Sequence, residues 1–255
     1  MSKRAPFPFA LLASFVLLSP LTAAADEFDV AGIALGMSVE DVREAILDYN
    51  KDMKIRTEVL QMTYSDGVKK YRTEPFVRQV IGQMPAHDIV ATIATPPEKP
   101  EVGAIFRVHH MKNEPVARGI YLDALIEKYG EPAINFINNA DFMFLYWFLG
   151  EGKVNCMPVV NQKISLDTSL NSSMLKIIQN PDGTMKNPEA KSPEDCAVVL
   201  KYQLNNDPVV RAAAEMVDVA AAARNEVSLR AWVDELNRKA REDLVKQSGA
   251  AKPKI

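Results

Sequence analysis

From Gly32 to Leu204 the chain runs twice through one order of signals, a short amphipathic helical stretch followed by β-rich runs. This order constrains the fold more than any single motif. The first helical stretch opens at Ser38, placed to cap a helix. Asp41 is spaced to reach back as in a capping box, and Met37 and Val42 hold the hydrophobic-staple positions. Val39, Val42 and Ile46 then share a face, which predicts a helix to about Tyr49. The pattern next changes to alternation. A run from Arg56 to Tyr64, a turn at Ser65-Asp66-Gly67 and a partner run from Val68 to Arg72 predict a β-hairpin. The runs His87 to Thr95 and Val102 to Met111 predict a second hairpin, with Pro96, Pro97 and Pro100 confined to the connection.

The second helical stretch, Arg118 to Tyr129, places Leu122, Leu125, Ile126 and Tyr129 on one face and stops at Gly130 with Pro132 behind it. Strands are expected from Ala133 to Asn138, from Asp141 to Leu149 and, after the turn at Gly150-Glu151-Gly152, from Ala197 to Leu204. Between Val160 and Asp195 the composition turns to Asn, Ser, Pro and Lys, which predicts a long, partly ordered excursion. Past it, Asp207 and Pro208 stand at N-cap and first-turn positions of a helical region with no Gly or Pro before Gly249. One apolar stripe, Val209, Ala213, Met216, Val217, Ala220 and Val227, gives way to another, Leu229, Trp232, Leu236, Ala240 and Leu244. The change of phase near Asn225 to Ser228 leaves open a bend in one helix or a break into two.

The fold class expected is therefore α+β, helices packed on antiparallel sheet, as a tandem repeat of a small helix-plus-strands unit with a long C-terminal helical region. The organisation along the chain is a leader at 1–25, units at 26–114 and 115–206, a helical segment at 207–247 and a disordered tail at 248–255.

Lys3 and Arg4, an apolar run from Phe9 to Leu18 and the small residues Ala23, Ala24 and Ala25 form the three zones of a cleavable export signal, with cleavage expected near Ala25. Ser19 and Pro20 end the apolar run well short of the roughly 20 residues of a spanning helix, so no integral membrane segment is expected in the mature form. The destination is a periplasmic or secreted, oxidising compartment. There the two cysteines, Cys156 and Cys196, are expected to pair. Their spacing lacks the Cys-x-x-Cys geometry of a redox pair. Closing that loop is worth roughly 4 kcal/mol in chain entropy. The formal charge of −3 falls further when Lys3 and Arg4 leave, which disfavours nucleic acid and anionic membranes as partners.

The stretch Gly32-Ile33-Ala34-Leu35-Gly36-Met37-Ser38-Val39-Glu40-Asp41-Val42, together with the helix end Lys128-Tyr129-Gly130-Glu131-Pro132, resembles the openings and helix ends of small exported proteobacterial proteins of the SmpA/OmlA (BamE)-like family. The resemblance covers about thirty residues. It implies helices laid on an antiparallel sheet and a role in binding proteins. Tandem versions of such a fold occur in secreted β-lactamase inhibitor proteins. The chain departs from the lipoprotein members in having no Cys near the cleavage point, and no functional residue is carried over.

No catalytic fingerprint is present, whether zincin, hydrolase elbow, Walker or dinucleotide. Ser38 has no base beside it in the sequence. His87, His109 and His110 read as surface or strand-end residues, the last two pointing to opposite faces of a strand and so unable to share a metal. Asp66, Asp182 and Gly183 lack the ligand ladder of a calcium loop and read as turn residues. Glu40, Asp41, Glu44 and Asp48 describe a solvated helix face. No cofactor and no metal is expected.

The densest apolar feature is Phe142, Phe144, Tyr146 and Phe148 on one side of a strand, with Met143, Leu145 and Trp147 on the other. Burial on both faces makes this a central strand; exposure of one face makes it a binding surface. The candidate interaction residues are accordingly Phe144, Tyr146, Trp147, Trp232 and Leu236. The functional expectation is an envelope accessory protein that binds an unidentified envelope protein. A secreted enzyme inhibitor with exposed aromatics on a concave sheet face is the alternative, and an enzyme of unfamiliar type is less favoured because no site assembles.

Overall fold

The computed structural model describes residues 28–138 and 141–248. The leader and the tail from residue 249 onward lie outside the described residues. The elements, in order, are β1 (Asp29–Val30), β2 (Ile33–Ala34), α1 (Val39–Tyr49), β3 (Lys54–Leu60), β4 (Thr63–Ser65), β5 (Lys70–Arg72), β6 (Phe76–Met84), β7 (His87–Ile93), β8 (Val102–His110), α2 (Arg118–Tyr129), β9 (Ile134–Asn138), β10 (Phe142–Leu149), α3 (Met174–Ile178), β11 (Val198–Asn205), β12 (Arg211–Asp218) and α4 (Val219–Ser248). The protein is α+β, dominated by one eight-stranded antiparallel sheet of order β3-β6-β7-β8-β12-β11-β10-β9.

Local chemistry sets the first helix as expected. The Ser38 side chain accepts from the Asp41 amide, and the Asp41 carboxylate accepts in return from the Ser38 amide. Val39, Val42 and Ile46 are buried. Helix α1 lies so close to the sheet that a Cβ added at Gly82 of β6 would meet the Ile46 side chain at 2.6 Å. Helix α2 covers the same sheet face through Leu125 and Tyr129, and it ends at Gly130 with φ of 77°, a conformation that favours glycine. Side chains from both halves of the sheet complete this core, among them Ile89, Ile105, Met216, Leu200 and Leu145.

The opposite face is covered by the excursion that follows β10 and by the start of α4. The disulfide Cys156–Cys196 pins the two ends of that excursion. Met157, Ile164, Met174 and Ile178 pack with Phe144, Tyr146, Val199, Val217 and the first turns of α4. The excursion contains α3 and a short 3-10 turn at Pro193–Asp195.

Two expectations are corrected and one open question is answered. The run Arg56 to Arg72 is not one long hairpin. Strand β3 pairs with β6, a strand the sequence pattern did not single out, and only β4 and β5 form the hairpin, three residues a side. The longer partner prevails because its nine residues supply an extended ladder and the buried Val80, Ile81 and Gly82. The helical segment does not begin at 207: residues 211–218 are a strand with neighbours on both sides, and α4 starts at Val219. Alanine-rich composition favours helix only weakly, and pairing with two strands outweighs it. Burial on both faces, at Ala212, Ala213, Ala214, Met216 and Val217, removes the alternation that marks a strand. Finally, α4 runs as one helix from Val219 to Ser248 across the phase change at Asn225 to Ser228.

Replacing Gly82 by Ala is expected to lower stability by about 1–3 kcal/mol, since the new methyl group forces α1 off the sheet. Urea unfolding with an unchanged slope and a lower midpoint is the outcome that fits; a midpoint equal to wild type contradicts the close approach.

Candidate functional site

Of the residues expected to contact a partner, three are core residues. Phe144, Tyr146 and Trp147 are buried, the first two among the excursion and the third on the opposite face, where its indole N–H donates to the Gly130 carbonyl at 2.9 Å. Strand β10 has a neighbour on each side and cover on both faces, so Phe144, Tyr146 and Trp147 hold layers together. Phe142 and Phe148 at the two ends of the strand are half-buried.

Trp232 and Leu236 sit differently. Both are half-buried on the second half of α4, which leaves the sheet after Asn225. Asn225 anchors the departure: its side chain accepts from the Thr95 amide and hydroxyl and donates to the Thr95 carbonyl, at 3.1, 2.9 and 2.7 Å. Beyond that point the Trp232 ring meets Phe76 edge-on at 6.5 Å, and Asn237 accepts from the Ser65 amide at 2.8 Å. Ion pairs along the helix, Arg230–Glu226, Arg238–Glu235, Arg238–Glu242 and Lys239–Glu235, support a helix that stands mostly in solvent.

The β4–β5 hairpin braces this arm. Its turn is organised by Asp66, which accepts from the Val68 and Lys69 amides and the Tyr71 hydroxyl at 2.7, 2.6 and 2.7 Å. Those donors hold the Asp66 carboxyl below its ordinary range. Tyr64 and Tyr71 stack at 5.4 Å. Between the stacked pair and Leu236, Ala240 and Leu244 of α4 lies a cleft of about 450 Å³, floored by apolar side chains and rimmed by Lys69, Lys239 and Asp243.

A second cluster went unread in the sequence. His87 is buried rather than at the surface, stacked on His109 with ring centres 4.4 Å apart and planes within 8°. Register explains the stack, because His87 and His109 are direct cross-strand partners in β7 and β8. Arg107 donates from Nε to His87 Nε2 at 2.8 Å and from Nη2 to the Tyr49 hydroxyl at 2.7 Å. His87 Nε2 therefore carries no proton. Burial, with the Arg107 charge second, drives the His87 pKa down to about 3, and the same causes lower that of His109. A neutral imidazole facing a guanidinium is a weak base; the Tyr49 hydroxyl lies 3.5 Å from His87 Nδ1, and no carboxylate hydrogen-bonds either ring among the described residues. No group of three or more His, Cys, Asp or Glu able to hold a metal occurs among the described residues, and no described helix is long and apolar enough to cross a membrane.

Comparison of the chain with protein-family models, with curated proteins and with solved structures finds no match.

The His87 environment has a signed consequence for stability. The folded state keeps the ring neutral down to about pH 3, while the unfolded chain takes up its proton near pH 6.5. The unfolded state thus binds more protons between these values, and stability is lost as pH falls from about 6.5 toward 3. In His87→Leu, urea unfolding measured across that window is expected to show a shallower acid limb. A limb as steep as wild type places the ionising group elsewhere.

Proposed function

We propose that the protein is an exported, periplasmic accessory protein that works by holding another envelope protein, with the α4 arm and the β4–β5 hairpin as its docking site. The observation that carries this reading is the cleft between the stacked Tyr64 and Tyr71 and the Leu236, Ala240 and Leu244 stripe of α4. Apolar floors with aromatic walls and a charged rim suit an amphipathic segment of a protein partner, which buries its apolar side chains on the floor and meets Lys69, Lys239 and Asp243 with complementary charge. Export draws support from the leader pattern and from the disulfide, since such bridges persist in oxidising compartments.

The duplication reading has support of the same kind. Each half of the large sheet is a helix followed by a four-stranded antiparallel meander, β3-β6-β7-β8 after α1 and β9-β10-β11-β12 after α2, with the last strands of the two meanders paired. Two copies of one ancestral unit, joined edge to edge, account for this order. The resemblance to the SmpA/OmlA (BamE)-like family at Gly36-Met37-Ser38 and Gly130-Glu131-Pro132 belongs to the same proposal.

A photocrosslinking residue placed at Lys239, compared with one at the exposed Glu127 of α2, tests the docking site in intact envelopes. A discrete adduct at 239 and none at 127 is expected, and Leu236→Asp in the 239 background should abolish the adduct while circular dichroism shows the fold retained. Equal adduct yields at 239 and 127 refute the assignment of this surface.

A further inference from the structure

At the root of the arm a second cleft, of about 340 Å³, opens between α4, the segment leading into α3 and the ends of β3 and β6. Its walls are largely apolar: Leu60 and Met62 from one side, Leu170 and Met174 from the excursion, Leu229 from α4. Arg78, mostly withdrawn from solvent, lines the same space. Its guanidinium donates from Nη1 to the Ile93 carbonyl at 3.1 Å and from Nη2 to the Ser169 carbonyl, and makes no ion pair with a carboxylate among the described residues. Its remaining N–H groups, Nε–H included, have no partner among the described residues. Burial presses its pKa down, with the nearby Asp167 charge acting in the opposite direction.

The two carboxylates that line the cleft are already hydrogen-bonded. Asp167 takes hydrogen bonds from the Ser169 amide and hydroxyl and from the Asn171 and Ser172 amides. Glu226 takes them from the Ser173 hydroxyl, the Leu175 amide and Arg230. The Asn225 side-chain oxygen accepts from the Thr95 amide and hydroxyl. Arg78 thus keeps unused donors in this cleft while the neighbouring carboxylates are engaged, so a ligand that brings an acceptor fits it, and a charged one gains most against a guanidinium. The rest of the ligand meets aliphatic and thioether side chains.

We propose that this cleft binds a small anionic amphiphile, a carboxylate head on Arg78 with a short aliphatic tail between Leu60, Met62, Leu170 and Leu229. Its volume is at the lower end of the roughly 300–1,000 Å³ range of small-molecule sites, which sets a medium-chain acid rather than a long-chain lipid as the occupant. The assignment does not depend on the docking site proposed above, because the Arg78 cleft and the hairpin cleft share no lining residue.

Octanoate is the probe, with octanol and octylamine as its neutral and cationic counterparts, titrated into the full chain while the arginine Nε–Hε resonances are followed by NMR. Octanoate is expected to shift the Arg78 resonance saturably, with octanol and octylamine at least about tenfold weaker, since the charge-assisted pair is worth on the order of 1.5–3 kcal/mol. Arg78→Met should weaken octanoate binding by about tenfold or more. Because that variant also loses two loop-holding hydrogen bonds, Leu229→Trp supplies an independent arm: it fills the cleft without touching the guanidinium and should weaken octanoate to a similar degree. Absence of saturation by octanoate, equal binding of octanol, or unchanged affinity in Leu229→Trp each overturns the proposal.

Discussion

The pairing of β8 with β12 is the interaction on which the rest of the architecture depends. Each half of the sheet has one strand that would otherwise be an open edge, and the ladder from Arg211 opposite His110 to Val217 opposite Ala104 closes both at once. It also fuses two cores into one, because α1 and α2 then share a continuous sheet face. β12 carries Ala212, Ala213 and Ala214 at this seam. Arg107, opposite Ala214, extends from the seam toward His87 and Tyr49, and Tyr202, on the other side of Ala214, meets Tyr129 of α2 with hydroxyls 3.1 Å apart.

The second organising feature is that polar groups at element ends are satisfied by residues distant in sequence. Helix α2 has no cap of its own at Ala117; the Asp207 carboxylate accepts from the Arg118 amide at 3.1 Å instead. Asn225 closes the end of β7 at Thr95 from within α4. Such long-range caps fix the connections relative to the sheet, and they place the base of the α4 arm where it can lie against both clefts. The free remainder of α4 then depends on its own ion-pair ladder and on the hairpin that Asp66 organises.

Much of the fold was legible in short-range patterns. Ser38 with Asp41, the face of Leu125 and Tyr129, the stop at Gly130 and the proline-rich link between β7 and β8 are signals that act within a few residues, and the structure obeys them. The misreadings share one cause. Asp207 does cap a helix, but α2 rather than the next segment; the true start of α4 was marked by Asp218, whose side chain accepts from the Ala221 amide at 2.8 Å. At 211–218 a helix-prone composition yields to pairing on two sides, and β6 wins β3 from the nearer hairpin partner. The candidate sites were less legible still. Stacking of His87 on His109 depends on the exact register of the β7–β8 hairpin, and the isolation of Arg78 among carbonyls and aliphatic walls arises only when strands and loops far apart in sequence meet.

By itself the sequence determined where α1 and α2 start and stop, that two helix-plus-strands stretches follow one another, and which two cysteines were available to pair, because each rests on local sterics, local hydrogen bonding or simple count. Tertiary structure alone decided that the two sheets join at β8 and β12, that Phe144, Tyr146 and Trp147 are interior, and that α4 leaves the body to form two clefts. Those outcomes depend on which surfaces exclude water from one another, and that is a property of the assembled chain rather than of any stretch within it.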